Sequence, residues 1–201
     1  LWELSRGCPF TCDFCFESRG TAGIRRVPLD RLKAELDLFA ASGIREVFVL
    51  DPTFNYHKAN AKQMLRLIAM KAPDIHFFFE IRSEFIDREM ARLFAAIRCS
   101  LQIGLQSADG EVLGHIGRFF DPADFEAKIL LLHNADVTYG FDLIYGLPGD
   151  SLAGFRASLD FAMGLVPNHL DVFRLMVLPG TRLAETAPAF HLEYEACNPY
   201  Q

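Results

Sequence analysis

The chain has 201 residues, of which 51% are hydrophobic, 12% aromatic and 23% charged, a composition typical of a globular domain and not of a disordered or collagen-like chain. Its 20 Lys and Arg residues against 26 Asp and Glu give a formal net charge of −6, so no basic excess indicates binding to nucleic acid or to an anionic membrane surface. No apolar run reaches the roughly 18 residues that span a bilayer, which predicts a soluble protein.

Apolar runs with helical and strand periodicity alternate along nearly the whole chain. A strand is predicted at residues 2–5, a helix at 29–42, and at 47–50 a short run typical of a parallel strand buried on both faces. The further predicted helices are 61–68, 85–95, 125–133 and 152–165, and the further strands are 75–81, 101–105, 138–145 and 170–178. This alternation favours parallel, right-handed βαβ units, and six such units do not close an eight-stranded barrel. We therefore predict one α/β domain over residues 1–201.

Polar residues stand where the predicted strands end. They are Arg6, Asp51, Glu80, Arg82, Gln106 and Asp142. In folds built from parallel strands, ligands bind at the carboxyl ends of the strands. We therefore expect a ligand site where these side chains meet.

Three of the five cysteines lie within eight residues, directly after the first predicted strand. Cys8, Cys12 and Cys15 are too crowded for a disulfide framework, which indicates reduced thiols in the cytoplasm. Three soft thiolates on one short loop suit a metal or cluster with one coordination position left for chemistry. Alternatives are a structural zinc site completed by His57 or His76, or simply reduced core cysteines. Ordinary buried thiols are predicted for the two remaining cysteines, Cys99 and Cys197.

The triplet, with the aromatic Phe14 before its last cysteine, resembles the signature of the radical S-adenosylmethionine superfamily. The resemblance implies that Cys8, Cys12 and Cys15 hold a 4Fe-4S cluster and act in catalysis. It also implies that S-adenosylmethionine chelates the fourth iron through its amino and carboxylate groups. The implied fold is a partial (β/α)6 barrel with parallel strands, open on one side, with the triplet after the first strand.

Two further cofactor contacts follow from the same resemblance. Thr53 lies in the turn 51–53, where the family has a glycine-rich turn whose backbone meets the methionine amino group; Asp and Pro replace those glycines here. Glu80 stands where the branch that includes oxygen-independent coproporphyrinogen oxidase has a glutamate contacting the same amino group. The alternative for Glu80 is an ion pair with Arg82 or Arg118, because a carboxylate at the end of an apolar strand needs a cationic partner.

The remaining contacts concern the carboxylate, ribose and adenine of S-adenosylmethionine. Gln106 and Arg118 are twelve residues apart, as in the same branch, where the Gln meets the ribose and the Arg meets the carboxylate. A guanidinium is the natural partner of a partly desolvated carboxylate, and the alternative is a surface Arg at a helix end. Asp142 is implied to accept from ribose hydroxyls, and Ile144 and Phe14 to offer apolar surface to adenine, although a core position is the commoner place for a Phe.

The function implied is that of a radical S-adenosylmethionine enzyme core, in a cobalamin-dependent methyltransferase. The tail 194–200 resembles enzymes that carry a cobalamin-binding domain, and the chain begins within a predicted strand without Met. We therefore expect a fragment of a longer protein, with cobalamin held mainly by a preceding domain. The alternatives are a cobalamin-independent enzyme that abstracts hydrogen through a 5′-deoxyadenosyl radical, and a non-enzymatic iron-sulfur or zinc-binding module. Expected partners are a small-molecule or peptide substrate and an electron donor such as flavodoxin or ferredoxin, with no nucleic acid and no membrane.

Overall fold

The computed structural model of the chain describes residues 1–17 and 23–195. Its strands are β1 (Ser5–Arg6), β2 (Arg25–Arg26), β3 (Glu46–Phe48), β4 (His76–Ile81), β5 (Cys99–Gln106), β6 (Thr138–Tyr145) and β7 (His169–Arg174). Its α-helices are α1 (Leu29–Ala41), α2 (Lys58–Lys71), α3 (Arg88–Ala95), α4 (Gly110–His115), α5 (Pro122–His133), α6 (Leu152–Gly164) and α7 (Arg182–Thr186). Short 3₁₀ turns lie at Ser83–Phe85 and Ala187–Phe190.

Strands β3 to β7 form one parallel sheet whose spatial order follows the chain order. The sheet curls into an open half-barrel, and at least one helix connects each strand to the next. Parallel neighbours need such crossover connections, whereas a tight turn can join only antiparallel strands. The predicted α/β partial barrel with parallel strands, open on one side, is confirmed.

The predicted first strand, residues 2–5, is reduced to a single bridge between Trp2 and Val49. The Trp2 N–H donates to the Phe48 carbonyl at 2.8 Å, and the Leu50 N–H donates to the Trp2 carbonyl at 2.8 Å. Leu4 does not continue this strand pairing. Its N–H donates instead to the Asp51 carboxylate at 2.8 Å. Residues 5–6 then form β1, which pairs antiparallel with β2.

The helices begin at side chains that accept free backbone N–H groups. Asp87 accepts from the Met90 N–H at 2.9 Å before α3, and Ser151 accepts from the Gly154 N–H at 3.0 Å before α6. Asp121 does the same before α5, where Pro122 occupies the first turn and needs no hydrogen-bond acceptor. Sequence periodicity missed α4 and α7, because six and five residues are too short to show a helical repeat.

Alternate residues of the strands face two different environments. Those facing the helices are buried and include Phe77, Phe79, Leu101, Ile103, Tyr139 and Phe141. Those on the other side line a concave groove of about 670 Å³, which we call the barrel groove; they include Phe48, Glu80, Gln102, Asp142, His169, Asp171 and Phe173. The prediction that strand 47–50 is buried on both faces is therefore wrong, because Phe48 is 47% exposed where the half-barrel is open.

Candidate cofactor site

The three clustered cysteines lie on a loop, residues 8–15, that follows β1; we call it the cysteine loop. Burial raises the pKa of Cys8, while a backbone hydrogen bond from Phe10 and the charge of Arg82 lower it. Burial also raises the pKa of Cys15, and the neighbouring Cys12 and Cys8 raise it further. The three thiols therefore lie close together, and the charge of a neighbouring thiolate disfavours ionisation of Cys8 and of Cys15. A bound cation would remove that penalty, since metal ligation requires the thiolate.

The three soft thiolates of the cysteine loop are a donor set of the kind that binds iron-sulfur clusters. Among the described residues, no three His, Cys, Asp or Glu side chains surround one point in the way that a single metal ion requires. In a 4Fe-4S cluster each thiolate binds a different iron, so its ligands need not converge on one point. All three thiols are partly exposed, which leaves room for a ligand among them.

Hydrogen bonds hold the residues before the cysteine loop and the loop itself at Asp13. Before the loop, the buried Asp51 carboxylate accepts the Leu4 and Ser5 N–H groups at 2.8 and 3.1 Å. Within the loop, the Asp13 N–H donates to the Ile116 carbonyl at 3.0 Å, and the Leu183 N–H donates to the Asp13 carbonyl at 2.8 Å. Asp51 therefore shapes the approach to the cysteines rather than facing a ligand.

Gln106 and Arg118 meet at the carboxyl end of β5. Helix α4 reverses the chain after the strand, and the Arg118 Nη2 donates to the Gly104 carbonyl at 2.7 Å. Gln106 is buried with a φ of 68°, a left-handed conformation found at sites where the surrounding structure holds it in place. In the described part of the chain, the buried side-chain polar atoms without a hydrogen-bond partner are Gln106 Oε1 and Arg118 Nε. One acceptor and one donor are thus left for a ligand.

Arg118 lies within electrostatic range of both the cysteine loop and the barrel groove. Burial lowers its pKa, as does the like charge of Arg82, whereas Cys12, Glu84 and Asp142 raise it. The alternative of a surface Arg at a helix end is wrong, because the Nε atom is fully buried.

Glu80 projects into the barrel groove at the end of β4. Within residues 1–17 and 23–195 its carboxylate has no hydrogen-bond or ion-pair partner. Arg82 instead donates from Nε to Glu84 at 3.0 Å and lies 3.9 Å from the centre of the Phe10 ring. The alternative of an ion pair between Glu80 and Arg82 or Arg118 is therefore wrong. Burial raises the pKa of Glu80, and Asp142 and Glu17 raise it further.

Asp142 lies on the same concave face, two strands from Glu80. Burial raises its pKa, while a hydrogen bond from Gln102 and the charge of Arg118 lower it. The sequence analysis did not identify Gln102 as a site residue. The alternation in β5 could have shown it, because Ser100, Gln102 and Gly104 interrupt the apolar residues at every second position.

The other predicted contacts lie nearby. Phe14 packs against a small apolar cluster that contains Ile144, Val112 and Leu113. The Thr53 hydroxyl donates to the Pro52 carbonyl at 2.7 Å and lies beside Cys8. Cys99 is buried, as predicted, and burial raises its pKa to about 12. Cys197 and most of the tail 194–200 lie outside the described residues.

The sequence profile of the radical SAM superfamily matches residues 2–162 of the chain. The chain belongs to this superfamily. The radical SAM match includes the cysteine loop and β3 to β6, so it covers every residue of the candidate site.

The chain is similar to two curated methyltransferases and to a methyltransferase of known structure. The chain is 28% identical over 176 residues to tryptophan 2-C-methyltransferase of Streptomyces laurentii, covering 79% of this chain and 29% of that protein. It is 26% identical over 195 residues to the cobalamin-dependent radical SAM methyltransferase TokK of Streptomyces tokunonensis, covering 91% and 28%. The radical S-adenosylmethionine methyltransferase TsrM of Kitasatospora setae, solved with cobalamin and a [4Fe-4S] cluster, superposes with a TM-score of 0.84 at 23% identity, covering 93% and 36%.

The chain spans less than a third of the length of the two curated relatives. The similarity to the solved structure supports the radical SAM partial barrel as the fold. No helix among the described residues has the length and apolar character needed to cross a membrane.

Proposed function

We propose that this chain is the core of a cobalamin-dependent radical SAM methyltransferase, in which Cys8, Cys12 and Cys15 hold a 4Fe-4S cluster. The observation that carries the proposal is the unpartnered pair Gln106 Oε1 and Arg118 Nε beside the cysteine loop. Buried polar atoms in native proteins nearly always have partners, and a missing partner at a cleft suggests a ligand. The superfamily match and the methyltransferase relatives supply the reaction class.

The chemistry of these residues fits S-adenosylmethionine. Arg118 would bind its carboxylate, because a buried guanidinium keeps its charge and offers an unused N–H. Glu80 would bind its ammonium, since a carboxylate without a partner in a cleft attracts a cation. Gln106 Oε1 and Asp142 would accept hydrogen bonds from the ribose hydroxyls.

Adenine would pack against apolar residues at the same end of the half-barrel. Phe14 and Ile144 share one apolar cluster, which offers a flat base a surface that excludes water. Thr53, beside Cys8, would contact the methionine end of the cofactor. The bound cofactors supply the electron and the methyl group, while the protein binds, orients and shields them.

The cobalamin dependence rests on the relatives, one of which is named as cobalamin-dependent. We infer that residues 1–201 are one radical SAM domain of a longer protein, and that cobalamin is bound mainly by an N-terminal domain outside this chain. A small molecule or peptide would be the substrate, and flavodoxin or ferredoxin the electron donor. Free thiols at Cys8, Cys12, Cys15 and Cys99 support a reducing, cytoplasmic location.

The test supplies the full-length enzyme with S-adenosylmethionine labelled in its methyl group, with and without added cobalamin. We expect S-adenosylhomocysteine to form only when cobalamin is present, with label passing to cobalt and then to substrate. Formation of 5′-deoxyadenosine and methionine alone, independent of cobalamin, would instead assign the chain to the hydrogen-abstracting enzymes of the superfamily. An absence of any turnover with an intact cluster would favour a non-enzymatic module.

A further inference from the structure

A hydrogen-bond network crosses the barrel groove from β5 to β7. The Gln102 Nε2 donates to Asp142 Oδ1 and, at 3.0 Å, to Asp171 Oδ2. The Gln102 Oε1 accepts from His169 Nε2. One amide thus joins two carboxylates and an imidazole from neighbouring strands.

The amide of Gln102 can be placed in only one orientation. Its two N–H groups face the oxygens of Asp142 and Asp171, and rotating the amide by half a turn would place its oxygen against both carboxylates. His169 must then carry a proton on Nε2, because the Gln102 oxygen can only accept. The network therefore fixes the orientation of the Gln102 amide and places a proton on Nε2 of His169.

Gly140 makes room for this arrangement. A Cβ atom at residue 140 would lie 2.2 Å from the Cδ2 and Nε2 atoms of His169. The imidazole of His169 therefore lies over residue 140 of β6, where a Cβ atom would collide with the ring. Gly140 and His169 are also direct neighbours in the strand register, which brings the ring to the Gln102 oxygen.

Gln102 also donates hydrogen bonds to two neighbouring carboxylates. Asp142 and Asp171 are paired in the register of β6 and β7, and like charges in that position destabilise a sheet. The charged groups that act on Asp142 come from several elements: Asp171 and His169 on β7, Glu80 on β4, and Arg118 after α4. Gln102 is the neutral donor among them, and it engages one Asp142 oxygen while leaving Oδ2 available.

We propose that Gln102 is a positioning residue for S-adenosylmethionine: its hydrogen bond to Oδ1 fixes the orientation of the Asp142 carboxylate and leaves Oδ2 free for the cofactor. This inference rests on the proposed function, in which Asp142 contacts the ribose. Gln102 itself is not proposed to touch the cofactor, so its effect must pass through Asp142.

A double-mutant cycle in the full-length, cluster-loaded enzyme tests this dependence. The measurement is the dissociation constant of S-adenosylmethionine for the unmodified enzyme, Gln102→Leu, Asp142→Asn and the double variant. We expect Gln102→Leu to weaken binding roughly tenfold, since a hydrogen bond to a charged group is lost. The double variant should bind no more weakly than Asp142→Asn alone. Iron content and melting temperature confirm that each variant is folded and loaded.

The variant Gln102→Glu adds a second measurement, the pH dependence of S-adenosylmethionine affinity. This dependence would not change if Gln102 had only a structural role. A glutamate places a third negative charge beside Asp142 and Asp171, so affinity should fall further at pH 8 than in Gln102→Leu. Lowering the pH adds a proton to this group and restores a donor, so the deficit relative to the unmodified enzyme should shrink by pH 5.5. Ser100→Ala, on the same face of β5, is the matched control and should bind normally.

Two results would overturn the inference while leaving the proposed function intact. One is normal S-adenosylmethionine affinity in Gln102→Leu. The other is a double variant whose loss equals the product of the two single losses, since that would show independent action. A cluster-loaded enzyme that binds no S-adenosylmethionine at all would overturn the proposed function, and the inference with it.

Discussion

Arg118 shows how one side chain can indicate a ligand. A buried donor without an acceptor costs about 1 to 3 kcal/mol, and more when the group is charged. Arginine cannot escape this cost by losing its proton. Its Nη2 is satisfied by the Gly104 carbonyl, whereas its buried Nε has no partner among the described residues. An anionic ligand group would remove the cost, which is why Arg118 is central to the candidate site.

Replacing Arg118 should therefore weaken cofactor binding strongly. Loss of a partly buried charge-assisted contact costs about 2 to 5 kcal/mol, so Arg118→Ala should lower S-adenosylmethionine affinity by at least roughly tenfold. Arg118→Lys should recover only part of the loss, because an ammonium cannot reproduce the guanidinium geometry. Titration of the cluster-loaded protein measures the effect, with Arg156→Ala on the exposed side of α6 as control. An unchanged affinity, with the cluster intact, would remove Arg118 from the site.

The cysteines allow an equally direct comparison. Anaerobic reconstitution of the full-length protein should yield about four irons and four sulfides in this domain, because thiolates are the ligands of such clusters. Cys8→Ala, Cys12→Ala and Cys15→Ala should each abolish this cluster, whereas Cys99→Ala should retain its iron. Iron and acid-labile sulfide analysis gives the answer. One bound zinc without sulfide would establish the structural zinc alternative instead.

At the scale of elements, the carboxyl end of β5 combines several unusual features. The strand bulges between Gly104 and Gln106 where it pairs with β6. A Cβ atom at residue 104 would lie 2.7 Å from Gln106 Nε2 and 3.4 Å from Arg118 Nη1. The glycine therefore provides the space in which the side chains of Gln106 and Arg118 lie.

Gly104→Ala should displace Gln106 and press on Arg118 without touching the cysteines. We expect S-adenosylmethionine affinity to fall several-fold while iron content stays normal, because the new methyl group moves a flexible side chain end and not the backbone. Gly164→Ala, where no atom lies within 4 Å of the added Cβ, should bind normally. Equal affinities for the two variants would show that the Gln106 position is unimportant.

The sequence predicts the long helices and strands better than it predicts where each one ends and which segments pair. Strand β6 matches its prediction at residues 138–145 because its apolar pattern is continuous and a glycine follows it. Residues 2–5 look equally strand-like, yet the Asp51 carboxylate captures the Leu4 and Ser5 N–H groups and ends the pairing. That competition depends on a residue 46 or 47 positions away, which no local pattern shows.

The candidate site could be predicted in part for the same reason. The family motif predicts Cys8, Glu80, Gln106 and Arg118 as site residues, because their spacing along the chain carries the information. Gln102 is not part of the family motif. Its proposed role depends on contacts with residues 40 and 69 positions away along the chain. Only the folded arrangement of three strands brings these groups together.

At the scale of the whole molecule, the half-barrel concentrates negative charge in the barrel groove. The pKa of Glu80 is raised by burial and by Asp142 and Glu17, and that of Asp142 by burial and by Asp171. A raised pKa in the folded state means that the folded protein binds more protons than the unfolded chain. These two groups therefore lower stability at neutral pH, and the loss is relieved as the pH falls toward their ordinary values near 4.

Cofactor affinity and stability should consequently respond to pH in opposite directions. S-adenosylmethionine affinity should decline on acidification at a pH above the usual carboxylate range, because ammonium binding needs Glu80 ionised. The stability contribution of the same groups in the cofactor-free protein should rise over that range. Titrations between pH 8 and 5 with Glu80→Gln, which should bind weakly with a flatter pH dependence, measure the first effect. A steep, unaltered profile in Glu80→Gln would assign the titration to another group.

The contacts of the cysteine loop connect it to parts of the chain that follow the two edge strands, β3 and β7, which do not pair with each other. Asp51, after β3, holds the residues just before the loop, and Leu183, in the helix after β7, holds the loop itself through Asp13. Asp51 follows the first strand of the five-stranded sheet and Leu183 follows the last, so the cysteine loop links segments that come after the two edge strands. A second domain that moved either segment would therefore shift the cysteine loop without contacting the three thiols.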